Sequence, residues 1–266
     1  MRKLLDLLCD PSIENINVDG KDRLEAHRKI LANKPMLREV FKEFHRTFYS
    51  LDEEYFSSSG KRIELGAGIA PVRDSYPDVL ATDVVYDHHL DQVLDAENID
   101  LPDQSVRAIY GQNCFHHFPH PERFFKELER VLTPGGGVIL IEPYYGSVAS
   151  FLYKRLFKTE GFDKDFPAWE VPSSGPMNGA NQALSYIVFN RDRKVFEEKF
   201  LELEIVYSKP LLNYLRYLLS GGLNFRALIP DFMEKPMKLL EFILSPLCRL
   251  FALHYVIVIK RKNNVV

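Results

Sequence analysis

The stretch RIELGAGIAP, residues 62–71, decides the fold because it runs from a strand-like apolar segment directly into two glycines. Gly66 and Gly68 are one residue apart, a spacing that lets a strand turn sharply and brings bare backbone close to a ligand. The dinucleotide-binding pattern G-x-G-x-x-G needs a third glycine at position 71, where this chain has Pro71. The stretch therefore predicts a ligand-binding loop, and the residues around it must indicate the class of ligand.

The composition is that of a globular protein with a sizeable core, since the 266 residues are 46% hydrophobic and 27% charged. A net charge of -3 gives no electrostatic basis for binding nucleic acid. Cys9, Cys114 and Cys248 show no C-x-x-C spacing, which indicates reduced thiols in a reducing compartment. The first residues lack a cleavage pattern of small side chains, so we expect an ordinary helix there and a cytoplasmic location.

Short apolar runs alternate with amphipathic segments after residue 57, and this alternation predicts an α/β fold. Near-continuous runs of Val, Ile and Leu are typical of a parallel sheet that is covered on both faces. We therefore expect a doubly wound three-layer sandwich with a mainly parallel sheet. The predicted strands are RIELG (62–66), DVLATDVV (78–85), VRAIYGQN (106–113), GGGVILIEPYY (135–145), a strand that ends the segment 194–208, and HYVIVIKRK (254–262).

The remaining segments divide the chain into a cap, a main domain and two insertions. Residues 1–57 carry an apolar helical face and are predicted to form an N-terminal helical cap. Residues 58–266 are predicted to form the main domain, with insertions at about 146–192 and 210–253. Within the main domain, HPERFFKELERVLTPGG (120–136) predicts a helix with a proline at its first position and a Pro-Gly stop.

The first insertion is rich in glycine and proline and is predicted to be irregular. Long stretches of this kind inside a compact domain usually act as lids or binding loops. Trp169, Asn181 and Gln182 are therefore candidates for contact with a substrate, although a lone tryptophan is more often an anchor that holds such a loop in place.

Two acidic residues discriminate between classes of nucleoside ligand. Asp83 lies near the end of the second predicted strand, where a carboxylate can accept both ribose hydroxyls. A pyrophosphate prefers free N–H groups and no nearby anion, but Pro71 removes a donor and Glu64 adds a negative charge. A cofactor with a cationic amino-acid end and no phosphate fits these residues better. S-adenosylmethionine is such a cofactor.

Residues 61–145 resemble the class I S-adenosylmethionine-dependent methyltransferases, particularly the small-molecule group that includes the ubiquinone and menaquinone enzymes. The resemblance implies a Rossmann-like fold whose last strand runs antiparallel to the others. The segment between Asp83 and Asp95 is short for a full helix, so we expect a reduced second crossover. Four pieces in the right order carry the resemblance: IELGAGIA, ATDVV, LDAENIDLPDQSVRAIYGQNCFHHF and PERFFKELERVLTPGGGVILIEP.

The resemblance also implies a cofactor site built from ten residues. Glu64 would lie near the ammonium group, and Gly66, Ala67 and Gly68 would pass along the methionine part. Asp83 would hold the ribose, with Val84 and Ala96 against the adenine and Asp95 at the adenine amino group. Gln112 and Asn113 would surround the methyl group. The two aspartates have simpler alternative explanations, because Asp83 could cap a following helix and Asp95 could be an ordinary loop carboxylate.

The segment CFHHFPH, residues 114–120, contains three histidines beside the expected methyl donor. Their number suggests zinc, but the neighbouring prolines disfavour one helical turn that presents His116 and His120 together, and we expect no metal site. His117 or His116 is a candidate general base, because imidazole titrates near neutrality. The alternative is that the pair only shapes the pocket.

The C-terminal part, residues 209–266, differs from the rest in charge and polarity. It contains nine Lys or Arg residues against three acidic ones, a net charge of +6. The predicted helices around 211–220 and 236–253 have wide apolar faces. The span 242–259 is nearly long enough to cross a bilayer, but a proline and a central Arg249 argue against insertion. We expect either a lid over the substrate or a peripheral surface that contacts a membrane.

These observations favour transfer of a methyl group from S-adenosylmethionine to an oxygen, or less readily a nitrogen or carbon, of an acceptor. The acceptor is predicted to be a small molecule, a glycan or a lipid-linked compound. Two alternatives stay open at this point: an NAD-dependent oxidoreductase, and a catalytically silent methyltransferase-like subunit that binds a partner through its apolar C-terminal face. The sequence does not indicate an oligomeric state.

Overall fold

The structure is a computed structural model that describes residues 8–13, 16–17, 20–156, 160–170, 172, 175 and 179–263. The predicted helix at the start of the chain lies largely outside the described residues. Parts of the first insertion, including most of the stretch between Trp169 and Gly179, lie outside them as well.

One sheet forms the centre of the described chain, with the strand order β3-β2-β1-β4-β5-β7-β6. The strands are β1 (Lys61–Leu65), β2 (Val79–Asp83), β3 (Gln92–Val93), β4 (Val106–Gln112), β5 (Leu132–Pro143), β6 (Leu203–Pro210) and β7 (His254–Arg261). Only β7 runs opposite to the others, since it pairs antiparallel with both β5 and β6. The prediction of a mainly parallel sheet with an antiparallel last strand is confirmed.

Helices cover both faces of this sheet, as expected for a doubly wound α/β sandwich. They are α1 (Lys21–Ala32), α2 (Pro35–Tyr55), α3 (Pro121–Val131), α4 (Ser147–Leu156), α5 (Leu184–Tyr186), α6 (Arg193–Lys199), α7 (Tyr214–Leu219), α8 (Glu234–Ile243) and α9 (Cys248–Phe251). Helix α5 continues directly into a π-helical turn, Ile187–Arg191.

Helix α2 is a layer of the sandwich and packs directly on the sheet. Its Val40, Phe44 and Phe48 are fully buried in one apolar cluster with Ile139 of β5 and Val256 of β7. The connection from β1 to β2 contains only a short 3-10 turn within its described residues, so α2 covers this face. The predicted boundary between a cap and a main domain at residue 57 therefore crosses a shared core.

A buried carboxylate fastens α2 to the amino edge of the sheet. Asp52 is fully buried, and its two oxygens accept hydrogen bonds of 2.7 Å each from Nε of Arg62 and Nε of Arg107. The hydroxyl of Tyr110 donates a third bond to it at 2.6 Å. Three strong donors thus compensate one buried charge.

The opposite face of the sheet confirms the predicted helix before β5. Helix α3 begins at Pro121, as its sequence indicates. Its apolar residues Phe124, Phe125, Leu128 and Val131 are completely buried in one cluster with residues of the sheet and of the first insertion. Strand β5 begins at Leu132, directly after the last residue of α3. It therefore starts before Gly135, where the sequence analysis placed its first residue.

The second crossover is reduced, as the short spacing between the two aspartates predicts. Strand β2 ends at Asp83, and no helix lies between it and β3, a two-residue strand that the sequence analysis did not predict. Residues 84–91 form turns instead. The adenine side of the predicted site is consequently built from loops and not from a helix.

Both insertions lie at the carboxyl edge of the parallel strands. Pro143 at the end of β5 pairs with His254 at the start of β7, and Pro210 at the end of β6 pairs with Tyr255. The chain that leaves β5 and the whole connection from β6 to β7 therefore begin at this edge. Ligands of open α/β sheets bind at the same edge, so the insertions are placed to enclose a ligand.

The second predicted C-terminal helix is broken into two pieces. Helix α8 ends at Ile243, and a 3-10 turn, Ser245–Leu247, separates it from α9. The break has a local cause, because Pro246 cannot donate a helical hydrogen bond. In the part of the chain that the structure describes, no helix is long and apolar enough to span a bilayer.

Candidate functional site

The glycine loop after β1 has the backbone conformation that its sequence predicts. Gly66 and Gly68 have φ angles of +63° and +53°, in the left-handed region that side chains disfavour. A Cβ atom at Gly66 would lie 2.9 Å from the Cβ of Cys114, closer than real contacts allow. Glycine at position 66 is thus required both by backbone geometry and by the space between two loops.

A cavity of about 500 Å³ opens beside this loop, a size typical of sites for small organic ligands. We name it the cofactor cavity. All ten residues that the resemblance assigned to a cofactor line it: Glu64, Gly66, Ala67, Gly68, Asp83, Val84, Asp95, Ala96, Gln112 and Asn113. Their common location is a finding of the structure, and their individual roles stay predictions.

Asp83 is held at the tip of β2 by backbone donors. The N–H of Gly68 donates to its Oδ2 at 3.3 Å, and the N–H of Val85 donates to Oδ1 at 3.1 Å. Burial raises the pKa of this carboxyl above its ordinary value. The chain continues from Asp83 into turns, so this side chain does not cap a helix.

Glu64 lies deeper, below the glycine loop. Its side chain is buried, and its Oε2 accepts a hydrogen bond of 2.7 Å from the N–H of Val72. Burial raises the pKa of Glu64 well above its usual value, and the negative charges of Asp74 and Asp83 act in the same direction. A cationic group bound in the cofactor cavity would reverse this effect, because it favours the ionised carboxylate.

Asp95 and Asn113 also line the cofactor cavity, and they differ in their surroundings. Asp95 is exposed, and its Oδ1 accepts a bond of 2.8 Å from the N–H of Glu97, so it also acts as a loop carboxylate. Asn113 has a φ angle of +50°, unusual for a residue other than glycine. Strain of this kind is concentrated at ligand sites, and Asn113 lines the cavity where the methyl group was expected.

The sequence analysis missed four residues from α1 and the second insertion that also line the cofactor cavity. Arg23 and His27 of α1 line it, as do Tyr217 and Leu223 of the second insertion. Arg23 lies close enough to Asp83 and Glu160 to influence the pKa of each. Nothing in the local sequence could have found these residues, because they reach the site only through the packing of α1 and the insertion over the sheet edge.

His116 is fixed by two carboxylates. Its Nδ1 lies 2.6 Å from Oε2 of Glu142, and its Nε2 lies 3.6 Å from Oε2 of Glu160. Burial would lower the pKa of His116, but Glu142 and Glu160 outweigh burial and raise it to about 9. His116 is therefore a buried cation at neutral pH, and a cation of this kind cannot accept a proton from a substrate.

His117 has the opposite electrostatic environment. Burial and the adjacent positive charge of His116 lower its pKa to about 3, so the imidazole is neutral at physiological pH. Its Nδ1 has no hydrogen-bond partner, and its Nε2 is 3.9 Å from Oε1 of Glu160. A neutral imidazole with an unused nitrogen can accept a proton.

A second cavity of about 300 Å³ adjoins the cofactor cavity and shares His117 and Asn113 with it. We name it the acceptor cavity. At its exposed end lies Leu228, which is half exposed, and at its buried end lies His254. Side-chain polar atoms without partners belong to four residues that line it: Asn113 Oδ1, His117 Nδ1, Gln182 Nε2 and His254 Nδ1. Buried polar atoms normally have partners, so these four indicate a polar ligand.

The three candidates in the first insertion have different roles. Trp169 is buried, and its Nε1 donates to Asp192 at 2.9 Å, which makes it an anchor. Asn181 holds the loop, since its Oδ1 accepts from the N–H of Asp163 at 3.0 Å. Gln182 lines the acceptor cavity.

Two groups of described residues hold their ligand atoms within 4.8 Å of one another, as a metal site requires: Asp87, His88 and His89, and His116, His117 and Glu160. The first group lies largely at the surface, where such clusters are common without an ion. In the second group the proton on His116 would have to leave before a metal could bind. The expectation that no metal is bound stays a prediction.

Residues 74–140 match a family model described as a methyltransferase domain. This segment runs from the turn after the glycine loop into β5 and contains the ribose and adenine sides of the cofactor cavity. The sheet is mainly parallel with an antiparallel β7 between β5 and β6, the fold that the resemblance to class I enzymes predicts. The chain contains a methyltransferase domain. The finer resemblance to quinone-type enzymes stays a prediction.

Solved structures similar to this methyltransferase are distant in sequence. The YcgJ protein from Bacillus subtilis is 14% identical, with 83% of this chain and 99% of that one covered and a TM-score of 0.46. Phosphoethanolamine N-methyltransferase 2 from Haemonchus contortus, solved with S-adenosyl-L-methionine, is 10% identical, with 82% and 53% covered and a TM-score of 0.43. No curated protein matches the sequence.

The cofactor of the methyltransferase is S-adenosylmethionine, and the residues present fit it. The left-handed glycines leave room for a ligand against the backbone of the loop. The carboxylates of Glu64 and Asp83, which the resemblance assigns to the ammonium group and the ribose, both line the cavity. Within the described residues the glycine loop leads into a short 3-10 turn, Val72–Asp74, and not into a helix whose N-terminus could hold a pyrophosphate, which disfavours the nicotinamide alternative.

Proposed function

We propose that the methyltransferase transfers the methyl group to a hydroxyl oxygen of an acceptor bound in the acceptor cavity, with His117 as the general base. The observation that carries this proposal is the position of His117, a neutral imidazole that lines both cavities. A base between a methyl donor and an acceptor is needed only when the attacking oxygen still carries its proton. In N-methylation or C-methylation, removal of a proton by His117 would be less important.

S-adenosylmethionine supplies a methyl group on a positively charged sulfur, which the acceptor oxygen takes by in-line displacement while the C–S bond electrons return to sulfur. The protein contributes position and proton removal. Asn113 and the glycine loop border the inner end of the cofactor cavity, and His117 takes the hydroxyl proton as the O–C bond forms. The neighbouring Glu160, 3.9 Å from Nε2 of His117, stabilises the positive charge that His117 then acquires.

Glu142 and His116 act behind this base as positioning residues. Glu142 is fully buried, and its Oε1 accepts the N–H groups of Cys114 and Phe115 at 3.0 and 2.9 Å. These bonds fix the turn after β4 from which His116 and His117 project. His116, cationic between Glu142 and Glu160, keeps the pKa of His117 low and holds Glu160 in place.

The acceptor is an uncharged hydroxyl compound in this proposal, for two reasons. The acceptor cavity offers unpartnered amide and imidazole atoms from Asn113, Gln182 and His254, which suit hydroxyl groups. Its outer wall is apolar, from Leu152, Leu218 and other leucines. A small molecule, a glycan or a lipid-linked compound could satisfy both properties.

The test uses labelled S-adenosylmethionine and fractionated cell extract as the source of acceptor. With the fraction that supports turnover, His117→Ala should lower kcat by about 10²–10⁴-fold while cofactor affinity stays nearly unchanged. His88→Ala, an exposed histidine outside both cavities, is the matched control and should keep full activity. Because the pKa of His117 is about 3, kcat should show no acid limb between pH 5 and 8.

Several outcomes would contradict this proposal. Loss of cofactor affinity in His117→Ala would mean that the histidine shapes the cofactor cavity. Loss of activity on treatment with a chelator, restored by zinc, would mean that His116, His117 and Glu160 bind a metal. Tight cofactor binding without turnover in any fraction would favour the silent binding subunit.

A further inference from the structure

Helix α8 directs its two acidic residues toward the protein and most of its apolar residues toward solvent. Glu234 and Glu241 both bind the guanidinium of Arg216 on α7, with N···O distances of 3.1 and 2.7 Å. Arg216 is buried, and Glu43 of α2 binds it at 2.7 Å. An ordinary surface helix has the reverse polarity, with its apolar stripe on the core.

The outward side of α8 and the turns on either side of it form a cluster of exposed apolar side chains, which we name the outer apolar face. Phe232, Phe242 and Ile243 are 78%, 71% and 62% exposed, respectively. The large apolar side chains exposed on this face are Phe232, Leu239, Leu240, Phe242, Ile243, Leu247 and Leu250. Clustered exposure on this scale marks an interaction site.

The charges beside the outer apolar face are mainly positive. Because Glu234 and Glu241 turn inward to Arg216, the charged residues that α8 exposes are Lys235 and Lys238. Arg249 on α9 is exposed as well. Lys238 also contacts Glu43 at 2.8 Å, but more than half of its side chain is accessible. Apolar side chains flanked by basic ones are typical of helices that lie in the interface of an anionic membrane.

We propose that the outer apolar face docks on the surface of an anionic phospholipid bilayer. The aromatic and branched side chains of α8 and its flanking turns enter the boundary between headgroups and acyl chains. Lys235 and Arg249 contact the lipid phosphates. The docking is peripheral, and the internal ion cluster around Arg216 holds α8 in the orientation that exposes its apolar side.

The segment that carries the docked face begins close in sequence to a residue of the acceptor cavity, and in this respect the inference rests on the proposed function. Leu228 lines the acceptor cavity, is half exposed, and precedes Phe232 by four residues. Leu156 of α4 and Leu218 of α7 continue an apolar wall inward. An acceptor with an apolar chain could pass from the bilayer along this wall and place its hydroxyl near His117.

Flotation with vesicles of phosphatidylcholine alone, or mixed with phosphatidylglycerol, tests the docking without any turnover. The intact protein should float with the phosphatidylglycerol vesicles at low salt and less at high salt. The double variant Phe242→Glu with Ile243→Glu should bind at least about tenfold more weakly. The control, Val195→Glu with Leu201→Glu, changes two exposed apolar residues outside the second insertion and should bind like the intact protein.

Three outcomes would overturn the inference: no flotation of the intact protein at low salt, equal loss in both double variants, or a dimer in solution that Phe242→Glu with Ile243→Glu dissolves while vesicles bind nothing. The last outcome would make the face a contact between two copies. S-adenosylmethionine affinity, measured in each variant, reports that the fold is retained. Failure here leaves His117 and its test untouched, because vesicle binding requires no catalysis.

Discussion

Glu64 shows how one residue can link cofactor binding to proton release. In the free protein, burial raises the pKa of this carboxyl well above its ordinary range. The ammonium group of the cofactor, if it binds beside Glu64 as the resemblance implies, favours the ionised form, so binding below the pKa of the free carboxyl should release a proton from Glu64. Affinity should therefore rise as pH rises toward the pKa of the free carboxyl and level off above it.

Calorimetry in buffers of different ionisation enthalpy measures this release directly. Glu64→Gln keeps an acceptor for the N–H of Val72 but cannot lose a proton, so the release should disappear and the pH dependence should flatten. Asp83→Asn is the comparison, since the pKa of Asp83 is also raised by burial. An unchanged proton release in Glu64→Gln would exclude Glu64 as its source.

The adjacent histidines show how identical residues acquire opposite properties. His116 lies between two carboxylates and is cationic, whereas His117 has only a distant carboxylate and a cation next to it. A sequence pattern cannot separate them, because each depends on Glu142 and Glu160, residues that are distant along the chain. In the proposed mechanism His117 is the base and His116 is the residue that positions it.

At the scale of elements, the ion cluster of α2, α7 and α8 determines which side of α8 faces outward. The sequence analysis counted Arg216 within a basic C-terminal surface, and that interpretation is wrong, because Arg216 is buried among Glu43, Glu234 and Glu241. Arg216 therefore adds no positive charge to the surface, and Glu234 and Glu241, which bind it, add little negative charge there. Reversing Arg216 would disturb the fold and would not test membrane binding.

We expect Arg216→Ala to lower the free energy of unfolding by about 3–5 kcal/mol, because it leaves buried carboxylates without a partner. Chemical denaturation measures this change. Lys235→Ala removes an exposed cation from α8 and should shift stability by less than about 0.5 kcal/mol. Equal effects of the two substitutions would mean that the cluster does not hold α8 against α7.

At the scale of the whole molecule, α2 makes the N-terminal segment part of the sandwich. Its aromatic residues cover one face of the sheet, and Asp52 joins the start of β1 to the start of β4 through Arg62 and Arg107. The stability of the methyltransferase fold should therefore depend on residues that precede the family-matched segment by more than twenty positions.

Asp52→Ala should destabilise the protein by about 3–5 kcal/mol, because two partly buried arginines and the buried hydroxyl of Tyr110 lose their common acceptor. Glu53→Ala is the matched control. Glu53 contacts the same two arginines but is half exposed, so its loss should cost about 1 kcal/mol or less. Thermal denaturation of both variants decides between a buried anchor and a surface ion pair: similar shifts would contradict the anchor.

The sequence by itself determined the features that depend on neighbouring residues. The left-handed glycines, the positions of the central strands along the chain, the apolar side of α3 and the short second crossover follow from local spacing and side-chain type, because backbone preference and apolar periodicity act within a few residues. All ten predicted cofactor residues also line one cavity, since loops at the carboxyl ends of parallel strands must converge.

Only the tertiary structure decided what depends on distant residues. Three features require contacts between segments that are far apart in the chain. They are the lining of the cofactor cavity by Arg23 and Tyr217, the unequal charges of His116 and His117, and the outward apolar side of α8. Burial and charge pairing act through space, and a helix with charged and apolar sides can face either way until its partners are known. In this protein Arg216 binds Glu234 and Glu241 of α8 and Glu43 of α2, and these ion pairs hold the acidic side of α8 against the protein.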